Sequence, residues 1–242
     1  MSRPSISVLQ LYPRDMNLYG DWGNALVLKR RLEWCGYQAV MSEYHQGENF
    51  PDDVDIIIGG GGQDSGQIKI HDDLQQIADR LRGFAEDGMP MLMVCGLYQL
   101  FGRSFTTVTG EVLTGIGVFD AETFGASKRL TGNAVIDSER FGPVVGFENH
   151  SGKTTLGPGS AALGKVRTGF GNNGDDRTEG ALHRNVVGTY FHGPVLPKNP
   201  AIADFLISTA IERKYGPVEI RQAEPEINKI YTERARQHIL DK

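Results

Sequence analysis

Apolar residues in the first hundred positions alternate between compact runs and helical spacing. Residues 6–12 form a short apolar run with β-branched members, the pattern of a buried strand. Ala25, Leu28, Leu32 and Cys35 then recur at helical spacing, and Gly36 supplies a stop. Residues 37–41 and 54–58 read as the next two strands. Leu74, Ile77, Ala78, Leu81, Phe84 and Ala85 fall on one face of a long helix, which Gly88 and Pro90 end. Residues 91–94 form a further strand, and another helix is expected near Gly96. Strand and helix in alternation imply right-handed crossovers and a mostly parallel sheet with helices on both faces. The predicted class is α/β, in three layers.

The pattern changes after residue 112. Short β-rich runs at 112–119, 133–136, 144–147, 165–168 and 186–191 are separated by Gly-rich turns. These predict mixed or antiparallel strands. Ile202, Phe205, Leu206 and Ala210 predict a helix after Pro200. Beyond Gly216-Pro217 the chain turns polar and charged. One domain is expected over 1–216. A helical tail is expected over 217–242, either docked on a partner or mobile.

Composition narrows the function classes. The chain has 242 residues, enough for one sizeable core. Its net charge of -5 argues against general nucleic-acid binding. No apolar run reaches membrane-spanning length. The first apolar run ends at Tyr12-Pro13-Arg14-Asp15, too short and too soon broken for a signal peptide, so a cytoplasmic location is expected. Cys35 and Cys95 are too few for a cysteine-rich zinc site, and no metal is expected. In a reducing compartment they do not form a disulfide.

Each cysteine therefore needs its own explanation. Cys35 lies on the apolar face of a helix and reads as core. Cys95 follows an apolar strand and precedes a helix. Ligands of open parallel sheets bind just beyond the carboxyl ends of the strands. A thiol held at such a turn is exposed to them, and the N–H of the next residue, Gly96, can face an oxyanion, as in a nucleophile elbow. A buried structural cysteine is the alternative. The 54–58 strand ends in Gly59-Gly60-Gly61-Gly62-Gln63-Asp64. Almost free of side chains, this loop lets backbone N–H groups approach an anion. It lacks the spacing of a phosphate loop or a dinucleotide fingerprint. If its strand lies beside that of Cys95, it completes an oxyanion hole. A thiolate also needs a proton donor and acceptor. His192, after the 186–191 run, sits at another strand end; His150 in Glu148-Asn149-His150-Ser151-Gly152 is the second candidate.

These residues resemble a known family. Val94-Cys95-Gly96-Leu97-Tyr98-Gln99-Leu100-Phe101-Gly102 is similar to the nucleophile segment of class I glutamine amidotransferases of the cobyric-acid-synthase-like branch. Residues 18–24, the glycine loop, residues 146–154 and residues 188–200 match in the same order. Within the branch, the chain looks most like the glutaminase subunits of lipid II isoglutaminyl synthase. The resemblance implies a flavodoxin-like fold and hydrolysis of L-glutamine. It makes Cys95 the nucleophile and His192 the general acid and base. The oxyanion hole would come from Gly96, Gly60 and Gly61. Arg129, beside Lys128, would hold the substrate carboxylate, a role suited to a bidentate guanidinium. Gln99 would help shape the pocket.

The resemblance also implies a partner, a MurT-like synthetase related to the Mur ligases. ATP and magnesium would belong to that partner, and this chain would hold no cofactor. The acceptor would be D-glutamate in the lipid II stem peptide, and the location the inner face of the membrane. Two departures imply an altered elbow: Leu97 where the branch has a second glycine, and Met93 where a glycine precedes the nucleophile by two. Position 194, where common triads place an acid, is Pro194. The resemblance implies a third acid that is missing or supplied by the partner. The competing readings are a non-catalytic binding subunit of the same shape, a thiol hydrolase, and an amidotransferase serving another acceptor such as a cobalamin precursor.

Overall fold

A computed structural model describes residues 3–220 and 224–241. In chain order the elements are β1 (Ser5–Leu11), α1 (Trp22–Trp34), β2 (Gln38–Tyr44), β3 (Ile56–Gly59), α2 (Asp64–Gln76), α3 (Ala78–Glu86), β4 (Met91–Val94), α4 (Gly96–Leu100), β5 (Ser104–Thr106) and β6 (Val112–Thr114). They continue with β7 (Ala121–Ser138), β8 (Gly142–Leu156), β9 (Gly164–Thr168), β10 (Thr178–Glu179), β11 (Ala181–His183), β12 (Val186–Thr189), β13 (Phe191–His192), a 3-10 turn (Leu196–Lys198), α5 (Pro200–Tyr215) and α6 (Glu226–Leu240).

The central sheet runs β11-β12-β4-β3-β1-β2. Every pairing in it is parallel except β11 with β12. β3 and β4 are buried at every residue, so helices cover both faces, as the continuous apolar runs predict. α1 and α5 pack on one another, and α2 packs on α3 and α4. The fold is the expected mixed α/β architecture.

Three expectations need correction. The helix placed around 74–85 is two helices. α2 starts ten residues earlier, at Asp64, and Ile77 breaks the run with φ -98° and ψ 3°. Of the antiparallel half only β11 and β12 extend the central sheet; the rest builds a second one, in the order β10-β9-β7-β5-β6, with β8 pairing both β7 and β13. The runs at 133–136 and 144–147 are only parts of a long hairpin, β7–β8. Its register shifts between Gly125 and Leu130, so residues 126–129 bulge from the ladder. Polar residues there hid the strand from a reading of apolar alternation.

The chain passes between the two sheets at Gly180, from β10 to β11, and again just after β12. β12 pairs with β4 in the central sheet, and two residues later β13 pairs with β8 in the second. The crossover residue is Tyr190, which is fully buried. The tail helix α6 lies on the molecule's own surface. Arg236 donates from Nη1 to the Lys198 carbonyl (2.6 Å) and Asn199 Oδ1 (3.0 Å), and from Nη2 to the Pro143 carbonyl (2.8 Å).

Candidate active site

Cys95 stands at the carboxyl end of β4, between the ends of β3 and β12. Its backbone has φ 50° and ψ -103°, a conformation L side chains rarely adopt. That sharp strand-to-helix turn is a nucleophile elbow. Its N–H donates to the Thr189 carbonyl at 2.8 Å, so β12 fixes the turn. The two departures from the branch pattern are absorbed by Gly59. A Cβ there would lie 2.3 Å from Leu97 Cδ1 and 3.1 Å from the Met93 sulfur. The large side chains occupy space that a bare backbone leaves open.

β3 does lie beside β4, so the glycine loop borders the thiol. A Cβ on Gly61 would meet His192 Cε1 at 2.8 Å and Cys95 Cβ at 3.0 Å. Gly61 therefore sits against both candidate side chains and has no room for one of its own. The loop's donors differ from the expectation. The Gly61 N–H is already committed to Asp21 Oδ2 at 2.7 Å. Gly60 presses on the Met16 carbonyl and on Asp21, and its own carbonyl accepts from the Leu97 N–H at 3.4 Å. The Gly62 amide nitrogen lies 3.0 Å from where a Gly96 Cβ would stand. Gly96 itself opens α4, where an N–H has no intrahelical acceptor.

His192 is 1% exposed and contacts Cys95. Its Nδ1 lies 3.7 Å from Asp21 Oδ1, and both residues are buried. Tyr19 covers the imidazole, with ring centroids 4.3 Å apart. Burial by itself would push His192 below the usual histidine value, but the Cys95 charge and the Asp21 carboxylate overcome it. The result is a pKa raised to about 10. The imidazole therefore holds its proton across the physiological range. No acid follows His192 at the position where common triads place one, which is Pro194. The carboxylate that faces its ring, Asp21, lies 171 positions earlier, inside one of the segments that carry the family resemblance. Position 194 serves packing instead. Pro194 lies where a Cβ on Gly23 would stand, 2.3 Å from Pro194 Cγ. Asn24 Oδ1 meanwhile accepts the Leu196 N–H at 3.0 Å. Residues 18–24 thus dock the segment after His192 and aim Asp21 at its ring.

A cavity of about 370 Å³ opens beside Cys95 and is lined by Tyr19, Gln63, Gln67, Arg129 and His150 among others. Arg129, not Lys128, lines it. The β7 bulge carries Arg129, and bulges commonly re-aim side chains beside active sites. Its guanidinium donates to Asn149 Oδ1 (2.9 Å), the Asn149 carbonyl (2.8 Å) and Tyr19 Oη (3.3 Å). Gln99 also borders the cavity, yet both ends of its amide are engaged within the protein. Nε2 donates to Tyr190 Oη at 3.0 Å, and Oε1 accepts from Gln67 Nε2 at 2.8 Å. Its place is in a buried polar chain rather than at a free pocket wall.

His150 stacks on Tyr190 with centroids 3.6 Å apart and 7° between planes. Its Nδ1 lies 2.7 Å from the Gly152 carbonyl. Burial, with the nearby charges of His192 and Arg129, lowers its pKa to about 4, so it stays neutral where His192 is protonated. Of the two candidate histidines, His192 is the one that stands against Cys95 and holds its proton.

The comparisons agree with this geometry. Residues 7–200 match the CobB/CobQ-like glutamine amidotransferase domain. The chain is 40% identical over 222 residues to "Lipid II isoglutaminyl synthase (glutamine-hydrolyzing) subunit GatD" of Staphylococcus aureus, covering 91% of this chain and 90% of that protein. The protein of the same name in Streptococcus pneumoniae is 36% identical over 214 residues, covering 87% and 82%. A solved glutamine amidotransferase structure shares the fold at TM-score 0.58 with 19% identity, covering 84% of this chain and 98% of that one. The chain belongs to the CobB/CobQ-like glutamine amidotransferase domain family.

Proposed function

We propose that this protein is the glutaminase subunit of a two-subunit lipid II isoglutaminyl synthase. It hydrolyses L-glutamine to glutamate and ammonia. The ammonia passes to a MurT-like, ATP-dependent partner that amidates the α-carboxyl of D-glutamate in the lipid II stem peptide. The observation that carries the hydrolytic half is the strained Cys95 turn with protonated His192 against it, opening on the cavity of Arg129. The acceptor and the partner are supported by the two relatives named above, which match about nine tenths of the chain. ATP and magnesium are assigned to the partner. Among the described residues no helix is long and apolar enough to cross a membrane. We propose that the complex reaches lipid II at the cytoplasmic face through that partner.

The chemistry follows from the placement of the groups. Arg129 holds the glutamine α-carboxylate, for which its planar fork is suited. The Cys95 thiolate attacks the side-chain amide carbon. The oxygen that becomes negative is met by the N–H of Gly96 and that of Gly62, which takes the part expected of Gly61. Each such donor lowers the barrier by ~3 kcal/mol. The His192 imidazolium gives its proton to the departing nitrogen, and ammonia leaves a glutamyl thioester. His192, now neutral, takes a proton from water as that water attacks the thioester. Glutamate departs, and the thiolate–imidazolium pair is restored. Asp21 favours the charged imidazole throughout.

The test is transfer of label. Purified chain and its Mur-ligase-like partner are supplied with lipid II, ATP and glutamine labelled with 15N at the amide. The label is expected in the amidated stem peptide, and Cys95→Ala is expected to remove it while free ammonia still supports amidation. Amidation from glutamine by the Cys95→Ala complex at the normal rate would overturn the assignment.

A further inference from the structure

Two segments hold the reacting groups, and one short stretch of backbone spans them. The Cys95 N–H is bonded to the Thr189 carbonyl, and His192 lies three residues further along the same strand path. The separation of thiol and imidazole is therefore set by how residues 189–192 cross from one sheet to the other. Glu179 grips this crossover from beneath. It is 0% exposed and lies in β10. Its Oε1 accepts from Thr189 Oγ1 at 3.0 Å and from the Tyr190 N–H at 2.7 Å. Thr189 Oγ1 in turn accepts the Phe191 N–H at 3.0 Å. One carboxyl oxygen thus orders three consecutive residues between the bond to Cys95 and His192 itself.

Burying a carboxyl costs free energy unless its oxygens are hydrogen-bonded, and the bonds from Thr189 and Tyr190 to Oε1 offset part of that cost. Here the second oxygen, Oε2, has no hydrogen-bond partner among the described residues. Burial pushes the Glu179 pKa up to about 8; the bonds from Tyr190 and Thr189 oppose this, and the nearby Glu148 carboxyl reinforces it. The charged or titratable groups around it are Glu148 on β8, Tyr98 on α4 and Tyr190 itself. A neutral carboxyl keeps Oε1 as an acceptor without placing a charge near the thiolate–imidazolium pair. Tyr190 is held from its other end by Gln99 at 3.0 Å and by Thr154 at 2.6 Å, so the crossover is gripped on both sides.

We infer that Glu179 is a positioning residue for glutamine hydrolysis: by clamping Thr189 and Tyr190 it sets the span between the Cys95 thiol and the His192 imidazole, without touching substrate. The inference rests on the function proposed above. It assigns Glu179 an effect on turnover rather than on binding, because the cavity around Arg129 does not include it.

The test compares Glu179→Gln, Glu179→Ala and Thr189→Val in the full chain with its synthetase partner. Glu179→Ala is expected to lower kcat for ammonia release about tenfold or more while KM for glutamine stays within about threefold. Glu179→Gln keeps the acceptor oxygen and is expected to stay within about threefold of the parent. Thr189→Val removes one link only; it covers the case in which Glu179→Ala does not fold, with an expected kcat loss of about threefold at constant KM. A parent-like kcat in Glu179→Ala, a loss in Glu179→Gln equal to that in Glu179→Ala, or a change confined to KM would each overturn the assignment. A second readout does not depend on the glutaminase reading: the rate of Cys95 alkylation by iodoacetamide at neutral pH. Glu179→Ala is expected to change that rate at least about threefold, since the imidazolium no longer stands at its set distance. If the parent complex releases no ammonia, the function proposed above fails while the alkylation comparison still decides the role of Glu179.

Discussion

At the scale of single residues, the placement of His192 against Cys95 and Asp21 is the centre of the molecule. His192 has a folded-state pKa of about 10 against an ordinary 6.5. The folded protein therefore binds this proton more tightly than the unfolded chain does. That stabilisation is fully present below about pH 6.5 and is lost as pH rises through about 10. Removing the Asp21 carboxylate weakens one support of the imidazolium. Asp21→Asn is expected to move the alkaline limb of the kcat profile to lower pH. It should also reduce kcat by about 10- to 100-fold, less than the ~10⁴ seen when a triad aspartate in hydrogen-bond contact is removed. A pH–rate profile that keeps its alkaline limb in Asp21→Asn would sink this role. Arg129→Lys trades a planar fork for a point charge, so KM for glutamine should rise about tenfold with little change in kcat. Steady-state kinetics of ammonia release check that split. Cys95 and His192 were readable because each ends an apolar run. Asp21 was not, because its partnership joins positions far apart in the chain and no local pattern marks it.

Elements explain why those side chains meet. The glycine loop after β3 matters for the room it leaves as well as for its donors. Gly61→Ala would insert a methyl 2.8 Å from His192 Cε1 and 3.0 Å from Cys95 Cβ. That substitution should separate the pair, lower turnover by about tenfold or more, and destabilise the fold by ~1–3 kcal/mol. Thermal unfolding together with ammonia release would measure both. The parallel strands were legible because burial on both faces makes them continuously apolar. The β7–β8 hairpin was only half legible, since its bulge and the Arg129 region are polar. The bulge is also what puts Arg129 at the cavity, so the break in the pattern marks the functional position. α6 contributes no buried residue and is held by polar bonds. Arg236 reaches Asn199, whose amide also pairs with the Val145 N–H and carbonyl and with the Val195 carbonyl. Arg236→Ala should accordingly lower stability by ~1–2 kcal/mol, measured by chemical denaturation, with turnover unchanged at assay temperature.

For the whole molecule, the active site lies where the two sheets meet. The central sheet supplies Cys95 and the glycine loop. The second sheet supplies His192 and Arg129. Residues 18–24 join the two through Tyr19 and Asp21. The layered α/β half could be read from periodicity. The second sheet as a separate body could not, because short strands between Gly-rich turns do not state which sheet they join. Beside the expectation of a third acid that is missing or supplied by a partner, the structure places the Asp21 carboxylate 3.7 Å from the imidazole. That separation is beyond hydrogen-bond length. The most direct test of the central claim is mass spectrometry of the chain with its partner after exposure to 6-diazo-5-oxo-L-norleucine, an electrophile shaped like glutamine. One adduct on Cys95, blocked by excess L-glutamine and accompanied by loss of ammonia release, is the predicted result. An unmodified Cys95, or an adduct that glutamine does not block, would contradict the assignment of Cys95 as the glutamine-attacking thiol.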